Sequence, residues 1–436
     1  MRRTAAVLVS GAVLAAGGVV THTVASSSAE PVPTASLPRQ GAVANAATGR
    51  TAPAKRAVMF VGNNWDGTAT LVDARTHRKL GTLNTIPDKQ ERMAEIFSNP
   101  DKAAFFLAIR AGVGEGHDQY TDDIFATNDG TMVAVSRPSF ADVVGIDLAT
   151  KRIEWRFPME GYRSDHMAVS PDGERLLVAE STVNKVHELD IETGEKLREF
   201  PSGDTPHESN YSEDGKRVFH ASIGRVYTPI DRDAEPLELA YDTSKGDRRL
   251  QVVRTRDLKI VEKWNIGNKL EKAGYPDMSA AVRPMAVAPG ERFAYLQVSF
   301  FHGFVEFDMV QERVRRLAVL PDRTNGTPRE DYLLDSAHHG LAMNEAGTKL
   351  CVAGTMSDYA AIVRRQTFRH KIVTTGSKPY WATTGPGNTC WVSFSGDDSV
   401  AVLDYGTERE VSEFSVGDHP QRVRAGVVRE AILRRY

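Results

Sequence analysis

One unit, written twice at a spacing of 41 residues, constrains this chain more than anything else in it. The run His166-Met-Ala-Val-Ser-Pro-Asp-Gly173 has the form of a short strand ending in a tight turn. Arg175–Glu180, Lys185–Asp190 and Glu195–Phe200 then alternate apolar and polar residues as strands do, with Glu192-Thr-Gly194 as a second turn. At Pro206-His207 the pattern starts again and runs to a turn at Gly215, followed by Arg217-Val-Phe-His-Ala221. Four short strands repeated every forty or so residues cannot bury their apolar faces alone. They must stack around an axis, which is the pattern of a β-propeller.

Lead-ins of the same type recur at Asp123, Arg283, His339 and Lys378-Pro-Tyr380, which with His166 and His207 makes six. A seventh blade is split. Lys55–Val61, Ala69–Asp73 and Lys79–Leu83 resemble its second to fourth strands, and His419–Gly426 resembles a first strand without a blade. Pairing the two ends closes the ring and hides both open edges. Seven is the most economical count, with six or eight left open. These residues resemble the YVTN-type propeller repeat, carried here by Asp165-His166 to Gly173, Val186 to Asp190 and Thr193-Gly194. The resemblance implies an all-β, seven-bladed propeller of four-stranded blades over 55–436, and says little about function.

Ahead of the repeats, Arg2-Arg3, the apolar stretch Ala5 to Val20 and Ser27-Ser28-Ala29 have the form of a cleaved export signal over 1–29. The twin-arginine and general routes both stay open. Residues 30–54 are a flexible leader of Ala, Pro, Thr and Ser. The expected product is a secreted monomer without a membrane span. A formal net charge of −3 gives no reason to expect a nucleic-acid partner. The two cysteines, Cys351 and Cys390, fall on similar strands of neighbouring blades. Facing sheets stand about 10 Å apart, so two buried free thiols are expected rather than a bridge.

First strands line a propeller's channel, so equivalent lead-in residues converge. The register above brings Asp123, His166, His207, Arg283, His339, Tyr380 or Lys378, and His419 to one mouth, with His338 beside them. An insertion over 89–119, with helical Arg92–Phe97 and the glycine-rich Gly112–His117, breaks the period; so does a polar excursion between Tyr227 and Arg249. His207, Ser209 and Tyr211 are expected on one strand face by period two, with His220 and Arg225 on the next strand pair. Polar groups on a strand that should be core suggest function, because burying them unpaired costs about 1–3 kcal/mol each. The bland alternative is that such histidines merely bond a neighbouring lead-in.

Three chemistries suit the ring. Converging imidazoles from different blades can hold a divalent metal in the channel, although no short-range ligand motif assigns one. Arginine, histidine and tyrosine can perform β-elimination on a uronate chain. A mouth without chemistry can bind a glycan, peptide or protein. The polar lead-ins and Ser222–Tyr227 also resemble, over two blades, the secreted propeller polysaccharide lyases of the rhamnose–glucuronate group. That resemblance implies an acidic polysaccharide substrate, proton transfer by His207 and Tyr211 with His166 near, and Arg225 or Arg283 at the carboxylate. His339, His338, His419, Tyr380, Lys378, Asp123 and His117 would complete the substrate site. A non-catalytic binding propeller and a histidine-ligated metal enzyme are the alternatives.

Overall fold

The computed structural model describes residues 53–226 and 244–436. The expected export signal and leader, and most of the excursion between Tyr227 and Arg249, lie outside them. Seven four-stranded antiparallel sheets stand around one axis. Six are continuous in sequence, over 123–158, 164–201, 206–264, 282–319, 341–375 and 379–415. The seventh takes its innermost strand, Pro420–Arg429, from the end of the chain and its outer three, Lys55–Asn63, Thr68–Asp73 and Lys79–Asn84, from the start. Lys55 lies opposite Arg429 and Phe60 opposite Arg424, the closure the sequence implied. A buried seam of Val58, Phe60, Leu71, Val133, Val135 and Val144 packs that blade on its neighbour, and Arg56 grips Glu430 at 2.9 Å.

Local chemistry explains the blades. In the Ser170-Pro-Asp-Gly173 turn, Gly173 has φ +73°, while Asp172 accepts from the Glu174 amide at 3.1 Å. The cores lie between blades, because each sheet is apolar on both faces where it meets its neighbours. The two cysteines correct the sequence expectation. Cys351 and Cys390 form a disulfide between second strands of adjacent blades, their Cα atoms 6.4 Å apart. Ala342, Ala353, Ala360 and Ala382 surround them. With such small side chains in the seam, the blades approach more closely than the usual sheet spacing.

The insertion forms two helices, Lys89–Phe97 and Pro100–Ala111. Asn99 caps the second, accepting from the amides of Asp101 and Lys102, with Pro100 in the first turn, where its missing N–H costs nothing. Arg137, fully buried, forks onto Asp142 at 2.8 Å from both nitrogens and also holds Asp88, which ties the start of the insertion to its blade. Among the described residues, no helix is long and apolar enough to cross a membrane.

Candidate metal centre

Five of the seven inner strands carry the same irregularity, and it positions most of the channel side chains; the strand that follows His339 and the one that begins at Asp123 pair without it. Pairing of the first and second strands slips between Ser164 and Met167, between Pro206 and Ser209, between Val282 and Met285, and between Pro379 and Trp381. The closing strand slips in the same place, between the partners of Val61 and Asn63. Such a bulge sends the residues beside it toward the axis instead of alternating. It delivers Asp165 and His166, His207 and Glu208, Arg283, Tyr380 and Trp381, and Gln421 and Arg422.

Three imidazoles meet there. The ring centroids of His166 and His207 are 3.8 Å apart, those of His207 and His339 5.4 Å, and those of His166 and His339 6.1 Å. One ligand nitrogen from each lies within 4.8 Å of the others. Their exposures are 2%, 4% and 1%, and the Nδ1 atom of each is buried without a hydrogen-bond partner. Burial, reinforced by Arg422 on all three, holds each imidazole well below its ordinary pKa, so the rings are neutral. A second triad shares one member, since Asp122, Asp165 and His166 also converge within 4.8 Å. Asp122 keeps an unpartnered Oδ2, and burial lifts its pKa to about 6 against the pull of Arg422.

Cations hold this cluster in place. The Arg422 guanidinium donates to Nε2 of His166 and lies 3.4 Å from Asp122. Arg422 and Arg424 both stand over the indole of Trp381, at 4.6 and 4.9 Å from its centre, and Arg424 forks onto Asp123 with two contacts of 2.8 Å. Arg283 reaches Ser299 at 2.9 Å and the Leu334 carbonyl, and its charge depresses His207 and His339. Tyr380 packs 4.4 Å from His339, and burial pushes its hydroxyl up to about 12. Glu208, buried beside the trio, is raised to about 7 by desolvation.

Other expected site residues fall elsewhere. His419 precedes Pro420 in a left-handed conformation (φ +54°), which places it one layer outward. There it stacks on Trp65 at 3.7 Å, while His117 stacks on Trp65 at 3.8 Å. Glu115 of the insertion bonds Lys378 and lies 3.8 Å from His419, so the glycine-rich loop lies over the mouth. His338 is between blades, 3.3 Å from the Tyr359 hydroxyl and edge-on to His302. Tyr211 does not share a face with His207. The bulge breaks period two, turning Ser209 to His220 at 2.9 Å, and Tyr211 lines a depression of ≈590 Å³ with Asn128, Pro171 and Ala425. His220 is satisfied on both nitrogens, by Ser202 at 2.7 Å and Ser209, and is structural. Arg225 lies just after its blade's second strand, its amide on the Lys245 carbonyl at 2.9 Å. Asp122, Asp165, Glu208, Trp381, Arg422 and Arg424 escaped the sequence reading. A register counted from the prolines at 206, 379 and 420 would have found Trp381 and Arg422.

Comparison with known proteins adds architecture only. No family model matches the chain, and no curated protein does. The solved hydrazine synthase of Kuenenia stuttgartiensis matches with a TM-score of 0.52 at 15% identity, over 72% of this chain and 96% of that one. The dihydro-heme d1 dehydrogenase NirN, solved in complex with DHE, matches with a TM-score of 0.49 at 10% identity, over 82% of this chain and 63% of its own. Likeness at such identities concerns the fold.

Proposed function

We propose that this propeller is an exported metalloprotein whose channel holds one zinc- or copper-type ion on His166, His207 and His339. The observation that carries the reading is the convergence of three buried, neutral imidazoles whose Nδ1 atoms have no partner. Leaving such groups unsatisfied costs about 1–3 kcal/mol each. A metal bond removes that cost at His207 and His339. His166, whose Nε2 accepts from Arg422 and whose Nδ1 therefore carries the proton, would ligate through Nε2 once Arg422 turns to Asp122. A tetrahedral ion with bonds of about 2.0–2.1 Å separates its nitrogens by about 3.3 Å, which small ring rotations can reach from the present spacing. Three histidines leave a fourth position open, the pattern of sites that polarise a small ligand or water rather than merely brace a fold. Asp122 and Asp165 beside His166 supply acceptors for a coordinated water and offset the charge of Arg422. The inter-blade disulfide supports export, since such bonds persist in oxidising compartments.

Elimination on a uronate chain has less support. His207 and Tyr211 are four residues apart on one strand, about 13 Å, and line different spaces. The imidazoles are also almost wholly buried, which leaves a polymer little to touch. The metal reading is tested by elemental analysis of the full chain after zinc or copper loading and dialysis. About one ion per chain is expected, falling below a tenth in a folded His207→Ala variant. Equal retention by the variant would remove His207 from the centre.

A further inference from the structure

Far from the channel, the outer strands of two blades frame a groove of ≈840 Å³ lined by Arg315, Arg316, Lys349, Arg364, Arg365 and Arg369 with one lining carboxylate, Glu306. Glu408 behind the lining pairs Lys349 at 2.8 Å and Arg364 at 3.2 Å, so the excess charge rests on Arg315, Arg365 and Arg369. The chain as a whole carries a formal charge of −3, so this is a local field. It is also a built one. On the outermost strand Arg313–Val319, the pairing slips between Glu306 and Phe307, leaving Arg315 as the extra residue beside Arg316. Arg316 is fixed by Glu306 through contacts of 3.0 Å and by the Gln366 carbonyl at 2.8 Å. Arg365 is held by neutral acceptors, the Tyr295 hydroxyl at 2.7 Å and the Gly347 carbonyl at 2.9 Å, so its charge is not cancelled. Arg315 is exposed and only 3.6 Å from the already shared Glu306, and Arg369 is exposed. Arg315 also borders a second depression of ≈610 Å³, where Lys272 and Arg313 continue the positive band and Glu312 pairs with Lys269 at 3.1 Å.

We infer that this band is the binding site for a linear polyanion, an acidic polysaccharide bearing regularly spaced carboxylates. Pre-positioned guanidinium forks match carboxylates in pairs. Two contiguous depressions sharing one arginine suit an extended chain better than a single small anion. Among the groove's aromatic rings, Phe293 already has Arg292, Arg315 and Arg365 at 5.0, 5.3 and 5.9 Å from its centre, and Tyr295 is wholly buried. The second depression offers one exposed ring, Tyr275 at 40%, whereas single-strand nucleic-acid binders stack successive bases on several. A sugar acid needs none.

The test uses the full chain and fluorescently labelled polygalacturonate, with a single-stranded oligonucleotide of matched charge as competitor. Binding is expected to weaken as salt rises, because counterions are released. The double variant Arg315→Glu/Arg369→Glu should lose at least about tenfold in affinity at low ionic strength, with an unchanged melting temperature. Arg435→Glu, an exposed charge reversal in the C-terminal segment, should bind like the parent. His207→Ala should also bind like the parent, which separates the groove from the channel centre. No binding by the parent, an equal loss in the Arg435→Glu control, or preference for the oligonucleotide would each overturn the inference.

Discussion

At the scale of single residues, burial sets the protonation of this protein, and pH should expose it. His220, His338 and His419 are each held at about 3 by desolvation. An unfolded chain takes up their protons below about 6.5, whereas the fold refuses them, so stability falls as pH drops from there. Each costs about 2 kcal/mol between pH 7 and 5. Asp122 and Glu208, raised to about 6 and 7, act in the opposite sense, because the fold binds their protons first; together they return about 4 kcal/mol. The histidines of the channel add to the first group, so thermal melts of the metal-free chain should show a lower melting temperature at pH 5 than at pH 7. A flat profile would contradict the burial of these rings. Asp123→Ala should cost about 3–5 kcal/mol in denaturant melts, because it strands the guanidinium of Arg424 in the channel.

Among the elements, the inner-strand bulge decides what the sequence could and could not reveal. Blade strands were legible because alternation and turn residues are local, as in Ser170-Pro-Asp-Gly173. Convergence of His166, His207 and His339 was legible because all three sit near the start of an inner strand. His419 was misplaced because a proline follows it, whereas a proline precedes His207, and a shift of one position sends a strand residue to another layer. Tyr211 was drawn to His207 by a period-two count that the bulge interrupts. The cysteine bridge was hidden for a different reason: only the packing shows that alanines let two blades approach. That bridge spans 39 residues, and Cys351→Ser with Cys390→Ser should lose about 3–4 kcal/mol against the oxidised parent in urea melts. No change would show that the bond is not formed in solution.

Across the whole molecule, the ring is closed by chain ends more than 350 residues apart, so Pro420–Arg429 is both a wall of the channel and the latch of the fold. Deleting 420–436 removes Arg422 and Arg424 and leaves Lys55–Asn63 as an open edge. Size-exclusion chromatography should then find aggregate in place of monodisperse chain, and a well-behaved truncated species would argue against closure. The same strand brings the cation that touches His166, which ties the integrity of the ring to the candidate centre. The most direct test of that centre is X-ray absorption at the metal edge of the zinc- or copper-loaded full chain. The account predicts three imidazole nitrogens at about 2.0–2.1 Å, reduced in number by His339→Ala. A first shell of oxygens alone, or a spectrum unmoved by that substitution, would contradict it.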